Sequence, residues 1–376
     1  MIAQRRIPLL DLGSLHAPIR DELLAALTRV LDSQRFILGE DVERLEQEIA
    51  SHIGTPHAVA CASGSDALSL ALWALDVHPG DQVLTTPFSF FATAGSISRV
   101  GATPVFVDID PATFNMDMDR LEDALRANPR IRAIIPVHLF GGCADMDTLL
   151  TITRPRGLAV IEDAAQAIGS ECRGKRAGSI GAMGCFSFYP SKNLGGLGDG
   201  GMLTTHDGAL ATRLKALRNH GETGTYLHEW IGINSRLDTL QAAALRVKLK
   251  YLDAWTERRQ ENAACYRRML ASTGAPISAP APAQHQTRHI YNQFVIRCAR
   301  RDQLREFLKE QGVGTEVYYP VPLHLQHCFA DLGYKAGDFP TSEKAASEVL
   351  ALPVNPEVSF DDIECVCETI AGFYRQ

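Results

Sequence analysis

The chain lacks the cysteine patterns that would mark a metal or disulfide protein. Its nine cysteines are scattered and odd in number, no CxxC occurs, and no Cys/His cluster has zinc spacing. The closest pair, Cys365 and Cys367, lies in a periodic apolar stretch. These read as core thiols of a reducing compartment, and no metal site is expected. Long apolar runs are missing too: none reaches the ~20 residues of a membrane helix. The opening MIAQRRIPLLDLGS is basic, but its apolar run is too short for a signal sequence. Nor is there an excess of positive charge. With 37 basic and 44 acidic side chains the formal net charge is −7, which gives no reason to expect nucleic acid or an anionic membrane as partner. No internal repeat is evident. A soluble, cytoplasmic protein is the expectation.

What is present is ordinary in bulk and specific in detail. Apolar residues make up 45% and charged residues 22% of 376 residues, enough for two domains. Helical patterns at 19–31 and 41–53 give way, from about 57, to short β-rich runs alternating with helical ones. HAVACAS (57–63), DQVLTTP (81–87), TPVFVDID (103–110), RAIIPVHLF (132–140), LAVIEDAA (158–165), CFSFYPS (185–191) and GMLTTHD (201–207) read as strands. Between them lie helical segments such as SDALSLALWAL (65–75) and FFATAGSISRV (90–100). Repeated βα units imply a mostly parallel sheet with helices on both faces, and ligands beyond the carboxyl ends of its strands. After about 250 the texture changes. A long helix at 251–270, a Pro/Ala-rich loop at 275–286, YNQFVIRC (291–298), a helix at 301–311 and GTEVYYP (314–320) suggest a smaller α+β domain. The expected division is a large domain at 1–250 and a small one at 251–376.

Four places carry candidate chemistry. In SFYPSKNLGGLGDGG (187–201), Lys192 sits at a strand-to-loop junction among Ser, Pro and Gly, where a Schiff-base lysine has a rigid seat and room for a planar ring. A surface lysine in a flexible loop is the competing reading. Asp163 ends a strand in VIEDAAQAIG (160–169). A buried carboxylate there needs a partner, and a protonated pyridine nitrogen would be one. Helix N-capping is the alternative. Gln166 follows three residues on. In CASGSDALSLAL (61–72), Ser63, Gly64 and Ser65 turn a strand into a helix whose N-terminus can hold phosphate, or is simply capped. Phe90 follows a strand end and can stack on a ring or fill the core. Residues 196–201 fit G-x-G-x-x-G, but MLTTHD after them is strand-like, which speaks against a dinucleotide site.

The order of these motifs resembles the DegT/StrS-type sugar aminotransferases of fold type I. The resemblance runs over essentially the whole chain, through FILGEDVERLEQEIA (36–50), SGSDAL (63–68), PFSFFATA (87–94), PVHLFGGCADM (136–146), EDAAQAIG (162–169), SFYPSKNLGGLGDGG (187–201), RNHG (218–221), GINSRLDTLQAA (232–243) and YYPVPLHLQ (318–326). It implies an α/β fold with a seven-stranded, mostly parallel sheet and a smaller C-terminal α+β domain. It also implies pyridoxal 5'-phosphate (PLP) as cofactor, alternating with pyridoxamine 5'-phosphate. Lys192 would carry the cofactor and shuttle the proton. Asp163 would contact the ring nitrogen, Gln166 the ring hydroxyl, and Phe90 the ring face. Gly64, Ser65 and Ser187 would hold the phosphate, joined by Asn234 from the neighbouring subunit of a homodimer with shared sites. Arg236, Tyr318, Tyr319 and His324 fall where the family contacts the nucleotide-sugar or borders its cleft. The implied reaction moves an amino group from an amino acid, glutamate being expected, to a 3-keto UDP- or dTDP-sugar bound for surface polysaccharide, lipid A or a glycosylated natural product. A 4-keto acceptor, or a non-catalytic regulator on the same scaffold, is the alternative. Two departures matter: Ser63-Gly64-Ser65 replaces the common Asn-Gly-Thr, and Tyr318 stands where many relatives have His. Some dehydratases of the family carry His at the lysine position, and Lys192 argues against that branch.

Overall fold

A computed structural model describes residues 6–376; the first five residues of the basic N-terminal stretch lie outside the described residues. Seven strands form the large sheet: β1 His57–Cys61, β2 Gln82–Thr85, β3 Thr103–Phe106, β4 Ile131–Ile134, β5 Ala159–Asp163, β6 Met183–Ser187 and β7 Gly201–Thr205. Their spatial order is β1-β7-β6-β5-β4-β2-β3. Only β7 runs antiparallel to its neighbours, so the expected mostly parallel sheet is the one found.

Helices cover both faces, and the strand pattern shows why. Successive side chains point to opposite sides of a strand. On β1, Ala58 and Ala60 join one core cluster while Val59 and Cys61 join another. On β7, Met202 and Leu203 divide in the same way. The first cluster packs against α2 (Glu40–Ile53), α5 (Met118–Ala127), α6 (Met146–Thr153) and α8 (Thr239–Leu249). The second packs against α3 (Gly64–Ala74), α4 (Ala92–Arg99) and α7 (Gly208–Leu217). Strands buried on both sides are mostly apolar, which is why they read as Val/Ile/Ala/Leu-rich runs, with polar exceptions such as Glu162 and Thr204. Helix α1 (Arg20–Ser33) packs on α8 through Leu23, Ala26 and Val30.

The remaining chain begins with α9 (Leu252–Ser272). It includes a three-stranded antiparallel sheet, β8 (Ile277–Ser278), β9 (Phe294–Cys298) and β10 (Val349–Leu352), with α10 (Arg301–Glu310), α11 (Pro340–Glu348) and α12 (Phe360–Arg375). Its core also takes in Phe88, Val137, Leu139 and Phe140, which follow β2 and β4. This region therefore packs onto the carboxyl ends of the large sheet, and a cleft forms between them. GTEVYYP (314–320), rich in strand-forming residues, makes no regular strand: only Glu316 bridges to Ala351. Pro320 and Pro322 lack the N–H groups that a continuing ladder would need. Among the described residues no helix is long and apolar enough to cross a membrane.

Candidate active site

Four strand ends converge on one cavity of about 660 Å³. After β1, Ser63 takes an extended conformation and its hydroxyl accepts the Asp66 N–H at 3.1 Å, capping α3. The N–H groups of Gly64 and Ser65 have no acceptor among the described residues, and both residues line the cavity. An N-terminus with free donors and the positive end of the helix dipole is an anion seat. Gly64 is required there, because a Cβ would stand 2.7 Å from that of Ser187 at the end of β6. Ser187 thereby faces the same space.

At the end of β5, Asp163 is buried. One of its carboxylate oxygens accepts the Thr93 hydroxyl at 2.8 Å, and the other the Ala165 N–H at 3.2 Å. Ser89 lies 2.9 Å from Thr93, so a hydroxyl pair on the entry to α4 supports the acid. No helix follows Asp163, which removes the N-cap reading. Burial pushes its carboxyl above the usual range. The hydrogen bonds from Thr93 and Ala165, and the charge of Lys192, act the other way. A buried carboxylate with neutral donors only has room for a cationic partner, and a protonated pyridine nitrogen supplies one. Lys192 lines the same cavity. Burial lowers its pKa to about 8, against the pull of Asp163. An amine there gives up its proton far more readily than an ordinary lysine, and its nucleophilic free form predominates above about pH 8.

Gln166 is held from both ends. Its carbonyl oxygen accepts the Phe140 N–H at 2.7 Å, and its amide donates to the Tyr319 hydroxyl at 2.9 Å. Phe90 is 56% exposed at the cavity mouth, its ring 6.2 Å from that of Tyr319. An exposed aromatic over a cavity is free to cover a planar ring. Tyr318 also lines the wall. The structure thus gathers Lys192, Asp163, Gln166, Phe90, Gly64, Ser65, Ser187, Tyr318 and Tyr319 around one space.

Three of the singled-out residues are not there. His324 is enclosed: its Nε2 lies 3.1 Å from Glu343 on α11, and its ring meets Phe339 edge-on. At 1% exposure it lies outside the cavity lining in this chain. Asn234 is exposed and lies outside the cavity of its own chain. Arg236 donates to Asn219 at 2.8 Å and also lies outside that cavity. Conversely, Ser89, Ser191, Gln293 and Glu316 line the cavity without having been singled out. Ser89 and Thr93 carried a faint signal, hydroxyls four residues apart after a strand end. Gln293 and Glu316 carried none, because only the packing of the second region brings them in. Behind Asp163, Glu162 accepts N–H bonds from Gly178, Ile180 and Gly181 and sits 2.9 Å from His138 Nε2. His138 Nδ1 accepts from Ala144 at 3.1 Å, so its proton is on Nε2 and points to Glu162. That fully satisfied network fixes the strand end that presents Asp163.

Comparison with known proteins agrees with this geometry. A sequence model described as the DegT/DnrJ/EryC1/StrS aminotransferase family matches residues 18–371. A protein of Geobacillus stearothermophilus named pleiotropic regulatory protein is 49% identical over 98% of this chain and 99% of its own length. UDP-N-acetyl-3-dehydro-alpha-D-glucosamine 3-aminotransferase of Acidithiobacillus ferrooxidans is 44% identical, over 98% of each chain. Among solved structures, DesV of S. venezuelae in complex with a ketimine intermediate superposes with a TM-score of 0.95 at 42% identity, over 99% of each chain.

Proposed function

This chain belongs to the DegT/DnrJ/EryC1/StrS aminotransferase family, and from that premise we propose that it moves an amino group from an amino acid, glutamate being the donor, to a 3-keto sugar carried on UDP or dTDP. The observation that carries the reading is the meeting of Lys192 and Asp163 in one cavity with the free N-terminus of α3. Pyridoxal phosphate, the family's cofactor, supplies an electron sink joined to the reacting carbon when bound.

The protein's own part follows from its side chains. Gly64 and Ser65 present backbone N–H groups, and Ser187 a hydroxyl, to the phosphate. Asp163 keeps the ring nitrogen protonated. Gln166 reaches the ring hydroxyl, and Phe90 covers the ring face. Lys192 holds the cofactor and, once released, carries the proton at its Nζ, a general acid–base role to which a pKa of about 8 is suited. Arg236, Tyr318 and Tyr319 are the nucleotide-sugar residues of this reading. The working form is a cytoplasmic homodimer in which Asn234 completes the partner's phosphate seat. The exposed Tyr226, Leu227 and Ile231 give a second copy an apolar face to cover.

The 49% identical relative named as a regulator favours a second reading, a non-catalytic scaffold. A scaffold has no use for a lysine and a buried aspartate set in one cavity beside a free helix N-terminus, so catalysis is preferred. The test is chemical. Mixed with pyridoxal phosphate and reduced with borohydride, the protein will carry the cofactor on the peptide containing Lys192; in a separate, unreduced sample glutamate will convert the cofactor to its amine form. Label on another peptide, or no conversion by any amino acid, overturns the reading.

A further inference from the structure

Arg259 stands in the middle of α9, 4% exposed. Nη1 donates to the carbonyl oxygens of Tyr291 at 3.1 Å and Asn292 at 3.5 Å. Among the described residues no acid pairs with it, and Nε and Nη2 have no acceptor. Burial lowers its pKa to about 10, so it remains charged at neutral pH. Buried cations ordinarily have a counter-charge. This one instead borders a cavity of about 50 Å³, with Ser191, Asn292, Gln293 and Tyr318 in its wall.

Three of those residues, Ser191, Gln293 and Tyr318, also line the large cavity. The two spaces therefore share a wall, and Ser191 is the neighbour of Lys192. Asn292 Oδ1 and Gln293 Oε1 are buried without partners. Neither amide nitrogen donates a hydrogen bond among the described residues, so either amide can turn over at no loss and present N–H groups instead.

We propose that this pocket takes a carboxylate of the amino-acid donor, gripped by the Arg259 fork and by the turned amides of Asn292 and Gln293. The proposal rests on the aminotransferase reading. A guanidinium with free N–H groups matches the two oxygens of a carboxylate. The space holds one or two waters of ~30 Å³ each, enough for a carboxylate but too small for a diphosphate. Of the two proposed substrates only the amino acid carries such a group on every donor.

The test separates the two halves of the reaction in the holoenzyme. In Arg259→Met, glutamate half-saturation of the donor step rises at least tenfold, while amination of the keto sugar by the amine-loaded enzyme stays within twofold of wild type. Calorimetry of wild-type holoenzyme with glutarate, a dicarboxylate without an amine, shows binding that the variant loses. Unchanged glutamate saturation, or an equal fall in both halves, overturns the subsite. Where Arg259→Met does not fold, Gln293→Glu at the shared wall sets a negative charge against the carboxylate and raises half-saturation by the same tenfold; no rise overturns it. An enzyme that takes an amino group from no amino acid fails the function reading instead, and glutarate binding still decides the subsite.

Discussion

Gln166 donates its amide N–H to the Tyr319 hydroxyl over 2.9 Å, joining residues 153 positions apart in the chain. The bond ties the end of β5 to the segment that closes the cavity from the second region. Burial pushes the Tyr319 hydroxyl above its ordinary pKa, against the hydrogen bond from Gln166, so it stays protonated. Tyr319→Phe leaves the Gln166 donor unmet in the cofactor-free protein, a loss of about 1–3 kcal/mol. On the proposed reading the cofactor's ring hydroxyl would take up that donor. The melting temperature will therefore fall more in the cofactor-free variant than in the loaded one. An equal fall in both forms would show that Gln166 never turns to the cofactor.

Asp163→Asn separates catalysis from stability. The amide keeps the Thr93 contact and removes a buried charge that has no cationic side-chain partner of its own. Turnover falls by roughly 10²–10³-fold, the scale of losing one electrostatic partner in a water-excluded site. The cofactor-free variant is as stable as wild type or more so. The pH dependence follows from the direction of the shift. A carboxyl raised in the folded state binds more proton there than when unfolded, so the cofactor-free wild type gains stability as pH falls through the raised pKa. The Asp163→Asn variant, with no proton to take up at this position, loses that gain. Chemical denaturation at several pH values reads it, and identical pH profiles for the two proteins would refute the assignment.

Much of this site was legible because it sits at strand ends. A β-rich run followed by Ser-Gly-Ser, by Asp, or by Ser-Lys-Asn announces both a strand and what lies beyond it, and the parallel sheet then gathers those ends. The Thr93 bond to Asp163 was less legible, since only the pairing of β2 with β4 and β4 with β5 brings a helix start against that acid. Gln293 and Glu316 were silent because no local pattern says where a second region will close. The orientation of His324 was silent for the same reason. Its motif lies beside the cleft, but the turn at Leu323–Leu325 points it at Glu343. GTEVYYP has strand composition, yet its prolines end any ladder after a single bridge.

Asn234 tests the shared site. It is exposed in its own chain and absent from its own cavity. Asn234→Ala and Lys192→Ala each inactivate the enzyme alone. After subunit exchange, a hybrid dimer holds one site with both defects and one with neither. Activity will reappear toward one quarter of wild type, since half of the dimers are hybrids and each has one sound site of two. No recovery in a mixture shown by mass tags to have exchanged would place Asn234 in its own subunit's chemistry or outside it altogether.

The choice of carbon is the most exposed claim. The relative that is 44% identical carries a 3-aminotransferase name, and the cavity wall offers a means of choosing. Phe90, Tyr318 and Glu316 stand around the cavity, with Glu316 held by Arg305 at 3.0 Å. On the proposed reading this wall would limit the sugar's rotation, and rotation decides which carbonyl meets the amine. A misplacement of about 1 Å can cost roughly 10²-fold in rate. Amine-loaded enzyme offered 3-keto and 4-keto UDP- and dTDP-sugars separately will therefore aminate a 3-keto sugar at least ~10²-fold faster than its 4-keto isomer, read as return of the cofactor's aldehyde-form absorbance. Arg305→Ala, which frees Glu316, will narrow that ratio without abolishing amino transfer. Rapid amination of a 4-keto sugar and none of any 3-keto sugar would reverse the regiochemistry while leaving the aminotransferase standing.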